Sequence, residues 1–177
     1  MRAPYDPQVV AVAGTGPANH RPISLLLIED DRADAVLVEE LIADADADIQ
    51  VIWAPSISSA EQELLLTRPD CILVDLNLPD ATGMDAVARI AGRDATLPIV
   101  VLTGLDDEHF GVTAVASGAQ DYLVKGHVEP DTLHRSLLYA IERKRSELTA
   151  VDLYTGATLS SSSSSLVPVS TSASGFV

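Results

Sequence analysis

Five short apolar runs, spaced along about 120 residues and separated by segments of helical period, constrain this chain more than any other feature. They are SLLLI (Ser24 to Ile28), IQVIWA (Ile49 to Ala54), CILVDL (Cys71 to Leu76), PIVVLT (Pro98 to Thr103) and DYLVK (Asp121 to Lys125). All but the second lack in/out alternation, as expected of strands covered on both faces. Between them, Val36, Leu37, Leu41 and Ile42 suggest one apolar helix face, and Leu133, Leu137 and Ile141 recur at i, i+4, i+8 behind Pro130, a residue suited to a first helical turn. Five βα units in series predict an α/β fold with a five-stranded parallel, doubly wound sheet, helices on both faces and right-handed crossovers.

Charge locates the folded unit. The 177 residues carry 11 Lys+Arg against 26 Asp+Glu, a formal net charge of −15. Asp6, Asp152, Arg2 and Arg21 cancel, so the whole surplus lies between Ser24 and Glu147. Such a surplus argues against retention on nucleic acid or anionic lipid by bulk charge. The single cysteine, Cys71, excludes a disulfide framework and heads an apolar strand, where it reads as inert core. No apolar run approaches a membrane span and no secretory signal is evident, which predicts a cytoplasmic protein. Residues 1–22 are rich in Pro and Gly, and residues 149–177 contain six consecutive serines from Ser160 to Ser165. Both are expected to be disordered tails flanking a domain at 23–148.

In a sheet of this kind ligands bind at the carboxyl ends of the strands. Glu29, Asp30 and Asp31 follow the first run, Asp75 lies near the end of the third, Thr103 ends the fourth and Lys125 ends the fifth. The second run ends in Ala54-Pro55 and is expected to add nothing polar. Carboxylates crowded together repel unless a hard dication sits among them, and Mg²⁺, with its demand for octahedral oxygen ligands, suits the set. A carboxylate facing Mg²⁺ and a lysine can attack phosphorus and become an acyl phosphate, while Thr103 donates to a phosphate oxygen. Each residue alone has a plainer reading: an acidic run as solvated loop or helix N-cap, Lys125 as a surface lysine, Thr103 as a strand former, Tyr122 as a packing tyrosine. Their joint placement on one edge favours the site. His20, His109, His127 and His134 show no pairing and read as surface residues.

The stretches LLLIEDD, DCILVDLNLPDATGMD, LPIVVLTG and GAQDYLVK closely resemble the receiver domain of two-component response regulators over roughly Ser24 to Arg145. The resemblance implies a flavodoxin-like fold with strand order 2-1-3-4-5. It implies Asp75 as phosphoacceptor, with Glu29, Asp30, Asp75 and the backbone carbonyl of Asn77 holding Mg²⁺. Lys125 and Thr103 would contact phosphate, Gly104 would keep the phosphoryl site open, and Thr103 and Tyr122 would act as switch residues. Pro79 and Gly83 match the loop after the phosphoacceptor. A sensor histidine kinase or phosphotransfer protein is the implied donor, and a downstream protein the implied target. The implied contact face is the fourth helix, fifth strand and fifth helix, and a homodimer could form there or through the last helix. No nucleic acid or membrane insertion is expected, and the chain resembles a stand-alone, non-enzymatic receiver.

Two positions depart from the family pattern or modify it. Gly126 stands where most relatives have proline after the lysine, which favours a trans or mobile peptide over a cis one. Leu105, two residues past Thr103, places an apolar side chain where slow loss of phosphate would result. Two rivals are a Mg²⁺-dependent phosphohydrolase with an aspartyl nucleophile and a receiver-like module that never carries phosphate. The first usually needs a second acid where this chain has Asn77.

Overall fold

The structure is a computed structural model that describes residues 9–11, 21–104, 113 and 118–161. The chain divides into two compact units, residues 1–145 and 146–177. The first holds strands β1 (Val9–Ala11), β2 (Ile23–Ile28), β3 (Ile49–Ala54), β4 (Cys71–Asp75), the short β5 (Asn77–Leu78) and β6 (Ala81–Thr82), β7 (Ile99–Thr103) and β8 (Asp121–Val124). Its helices are α1 (Arg32–Asp44), α2 (Ile57–Leu66) and α3 (Met84–Arg93), and a long helix spans Pro130–Ser161. No helix among the described residues is long and apolar enough to cross a membrane.

The main sheet has the order β1-β3-β2-β4-β7-β8. Its five long-range strands, β3-β2-β4-β7-β8, are all parallel and reproduce the expected 2-1-3-4-5 order. Successive β2 side chains enter opposite layers. Leu26 and Ile28 join a core with Ile57, Ala60, Val87 and Ile90 of α2 and α3, while Leu25 and Leu27 join one with Ala35, Val38 and Ile42 of α1 and Leu133 and Leu137 of the long helix. β4 and β7 are buried at every position, which explains their unbroken apolar sequence. The chain winds from β2 to one side and from β4 to the other, so the switch point lies between these two neighbouring strands.

Local chemistry starts each helix. Asp31 caps α1 by accepting a 2.7 Å hydrogen bond from the Ala33 amide. Ser56 and Ser59 form a reciprocal capping box on α2. Gly83, with φ +56°, turns the chain into α3.

The structure corrects several expectations. Val9–Ala11, assigned by sequence to a tail, pairs antiparallel with β3 as a sixth strand. Three residues are too few to show a period, but β3 offers an edge whose backbone groups they satisfy. Residues 149–161, also assigned to a tail, continue the long helix as far as it is described, to Ser161; Leu148, Ala150 and Leu153 favour helix and no proline intervenes. The buried face of α1 is Ala35, Val38 and Ile42; of the expected Val36, Leu37, Leu41 and Ile42, Ile42 is buried and Leu41 packs partly buried against the same core, while Leu37 is 56% exposed. The fifth run forms the sheet's edge, where only Leu123 of Asp121–Val124 is buried. Residues 1–8, 12–20 and 162–177 of the tails, with His20, His109 and Leu105, lie outside the described residues, as does the segment of the fourth helix of the implied contact face apart from residue 113.

Candidate functional site

Three strands deliver the site's charged groups to one end of the sheet. Glu29 follows β2, its amide donating to the Ala54 carbonyl of β3 at 3.1 Å, and its side chain is fully buried. Asp30 is exposed beside it. Asp75 closes β4 and is 4% exposed. Lys125 follows β8, anchored by its amide, which donates to the Thr103 carbonyl at 2.7 Å. β2 and β4 are direct neighbours in register, so Glu29 and Asp75 meet because of pairing, not sequence distance.

The Lys125 ammonium ties the cluster together. Its Nζ lies 2.7 Å from Glu29 Oε2, 2.8 Å from Asp34 Oδ2 and 3.1 Å from Asp75 Oδ2. The latter two are aligned hydrogen bonds; the Glu29 contact is an ion pair, because Oε2 accepts no aligned bond. Burial raises the Glu29 pKa above its ordinary value, with Asp75's charge adding to the rise, and Lys125 offsets only part of it. Burial also disfavours the Lys125 charge, but Asp34, Glu29 and Asp75 together outweigh that and hold its pKa above the ordinary lysine value.

The donor set fits a hard dication. One carboxylate oxygen from each of Glu29, Asp30 and Asp75 lies within 4.8 Å of the others. Asp75 Oδ1 is buried with no hydrogen-bond partner, a costly state for a carboxylate oxygen unless something binds it. The three ligands are all oxygen, two from buried and one from exposed residues, which matches an ion that keeps part of its water shell.

The chain matches the response regulator receiver domain over residues 25–138, a span that includes every residue of this cluster. It belongs to that family. Regulatory protein LuxO of Vibrio cholerae is 34% identical over 122 residues, covering 69% of this chain and 26% of that protein. Nitrate/nitrite response regulator protein NarL of Escherichia coli K12 is 34% identical over 123 residues, 68% of this chain and 55% of NarL. The chain thus spans between a quarter and about half of the length of these curated relatives. Among solved structures, the receiver domain of an HD domain-containing protein from Pseudomonas fluorescens superposes with a TM-score of 0.64 at 22% identity, covering 76% of this chain and 98% of that one. A receiver domain protein of Clostridium thermocellum gives 0.61 at 24%, covering 70% and 97%. At these identities the two structures support the fold alone.

Most residues expected in the site of this receiver domain converge. Thr103 is fully buried at the end of β7, its hydroxyl donating to the Leu123 carbonyl over a long 3.4 Å. Gly104 follows it, partly buried. Tyr122 is half-buried and packs against the α2–α3 core layer. Asn77 is exposed and opens the small β5–β6 hairpin, two residues past Asp75. That hairpin turns through Pro79 and Asp80 and closes with the Gly83 amide donating to the Leu76 carbonyl at 2.8 Å. No peptide among the described residues is cis, and Gly126 has φ +78°, a conformation proline cannot adopt. Cys71 is buried, and burial pushes its thiol up to about 12, which suits inert core. His127 is exposed and His134 partly so.

Sequence reasoning missed three contributors. Asp34 reaches Lys125 from the first turn of α1, across 91 residues of chain; an acid in a first turn is common enough to carry no signal. Trp53 corrects the expectation that β3 adds nothing polar, since its indole N–H donates to the Glu29 carbonyl at 2.7 Å. The Arg32 guanidinium sits 4.9 Å over that indole ring. Asp80 accepts from the Ile57 and Ser58 amides at 2.9 and 2.8 Å, fastening the loop after Asp75 to the start of α2.

Proposed function

We propose that this receiver domain is a phosphorylation switch in which Asp75 accepts a phosphoryl group from the phosphohistidine of a sensor histidine kinase or phosphotransfer protein. The observation that carries the reading is the state of the Asp75 carboxylate: Oδ2 is held by Lys125 while Oδ1 is buried without a partner. An Asp75 oxygen forms the new O–P bond, the P–N bond of the donor breaks, and the imidazole keeps the electron pair and takes a proton from water. Lys125 binds an oxygen of the transferring group, and the Thr103 hydroxyl, held only weakly by Leu123, turns to donate to another. Gly104 offers no side chain to block the incoming group. Mg²⁺, held by Glu29, Asp30, Asp75 and the Asn77 carbonyl, would neutralise charge on the phosphoryl oxygens.

The output follows from β7 and β8. Moving the Thr103 hydroxyl off the Leu123 carbonyl loosens one tie between these strands and frees Tyr122 on β8 to repack. A downstream protein would read the change on the face formed by β8 and the long helix, with a second copy of the chain as another occupant of that face. The domain is then a phosphoacceptor, not an enzyme acting on a separate substrate.

Intact-mass measurement after incubation with acetyl phosphate and Mg²⁺ tests the reading. A single phosphoryl adduct, lost in Asp75→Asn and on chelation, is the expected result. Steady phosphate release without an adduct would favour a phosphohydrolase, and no reaction would favour an interaction module that carries no phosphate.

A further inference from the structure

Lys125 is crowded before any phosphoryl group arrives: it donates aligned hydrogen bonds to Asp34 and Asp75 and makes an unaligned ion pair with Glu29. An ammonium has three N–H groups, and three carboxylates crowd it: Glu29 at 2.7 Å, Asp34 at 2.8 Å and Asp75 at 3.1 Å. With three carboxylates packed around Nζ, a phosphoryl oxygen reaches the ammonium most directly by displacing one that holds an N–H group. They are unequal in this respect. The Glu29 and Asp75 side chains are 1% and 5% exposed, whereas that of Asp34 is 38% exposed. Releasing either buried carboxylate would strand a charge away from water, while releasing Asp34 returns it to solvent. A cavity of about 360 Å³, lined by Asp34, Leu37, Lys125, Gly126 and Val128 among others, gives the Asp34 side chain room to turn without moving α1.

We propose that Asp34 is a competitor for Lys125, a carboxylate that occupies the ammonium donor which the phosphoryl group must take over. This rests on the phosphoacceptor reading above and deepens it. Asp34 is a positioning residue: it touches neither Asp75 nor the transferring group and acts through Lys125. Phosphorylation then proceeds by exchange of the Asp34 carboxylate for a phosphoryl oxygen on Nζ. Asp34 also faces an incoming doubly charged donor with like charge, so the two effects have the same sign. Removing its charge makes the domain easier to load.

The test measures the rate of adduct formation on the full chain against acetyl phosphate concentration, at fixed Mg²⁺, by intact mass. In Asp34→Asn the half-saturating concentration should fall by about two- to fivefold, the range expected of a partly exposed ion pair. The gain should appear in that concentration rather than in the saturating rate constant, and should fade as ionic strength rises. Asp34→Glu, which keeps a carboxylate within reach of the flexible lysine, should stay near the unsubstituted chain. Asp34→Ala provides a second charge-removing variant should the asparagine disturb α1. Adduct formation that is unchanged or slower in both charge-removing variants overturns the competition while leaving the phosphoacceptor reading intact. No adduct on the unsubstituted chain overturns both.

Discussion

Replacing Lys125 by methionine tests the electrostatic logic of the site without any phosphoryl chemistry. The substitution keeps most of the side chain's apolar volume and removes the only charge that touches both Glu29 and Asp75 among the described residues. Breaking a fully buried pair costs about 3–5 kcal/mol, because the remaining charge is left uncompensated. Lys125 is 22% exposed, so screening lowers the expected loss to about 2–3 kcal/mol in the absence of Mg²⁺. With a urea m-value in the usual ~1–3 kcal/mol/M range, the midpoint should drop by about 0.7–3 M, read by the fluorescence of Trp53. The pH dependence has a definite sign. Burial already raises Glu29 above 4.5, and loss of Lys125 removes the contact that offsets it. Between 4.5 and that raised value the folded state binds a proton that the unfolded state does not, so stability rises as pH falls through the window. The deficit of Lys125→Met should therefore be largest at neutral and alkaline pH and shrink toward pH 5. Added Mg²⁺ should shrink it too. A loss under about 1 kcal/mol, or one equal at both pH values and indifferent to Mg²⁺, would refute the reasoning.

Two further outcomes follow from the loops that frame the site. Asp80→Ala should destabilise the domain by about 1 kcal/mol in urea unfolding, since it removes acceptors for the first amides of α2. Burial works against the Asp80 charge, but its bonds to Ser58 and Ile57 and the nearby Arg89 hold its pKa below 3.8. Its contribution is present above 3.8 and lost as pH falls below that toward its lowered folded value, so the variant and the unsubstituted chain should converge in acid. Gly126→Pro should cost more than about 1 kcal/mol and slow phosphorylation, because φ +78° cannot be met with a proline ring and Lys125 precedes it directly. Adduct formation at the original rate in that variant would separate the lysine's position from the backbone that carries it.

The site was legible where strand ends announced it. Glu29, Asp30, Asp75, Thr103 and Lys125 each close an apolar run, and the regular alternation of runs placed those ends on one edge. The α1 face was read correctly at Ile42 but misplaced at Leu37, since Leu37 and Val38 are equally apolar in sequence and only packing against β2 chose Val38. Asp34, Trp53 and Asp80 were illegible for a related reason: each acts on a group far along the chain, through a side chain whose type is ordinary for its local setting.

By itself the sequence determined the five parallel strands and their order, because backbone sterics, capping and apolar period act over a few residues and leave their mark there. Only the tertiary structure decided that one ammonium would be shared among Glu29, Asp34 and Asp75, with Asp75 Oδ1 left without a partner. Charge interactions of that strength exist only where folding has excluded water, and water is excluded only once strands distant in sequence lie side by side.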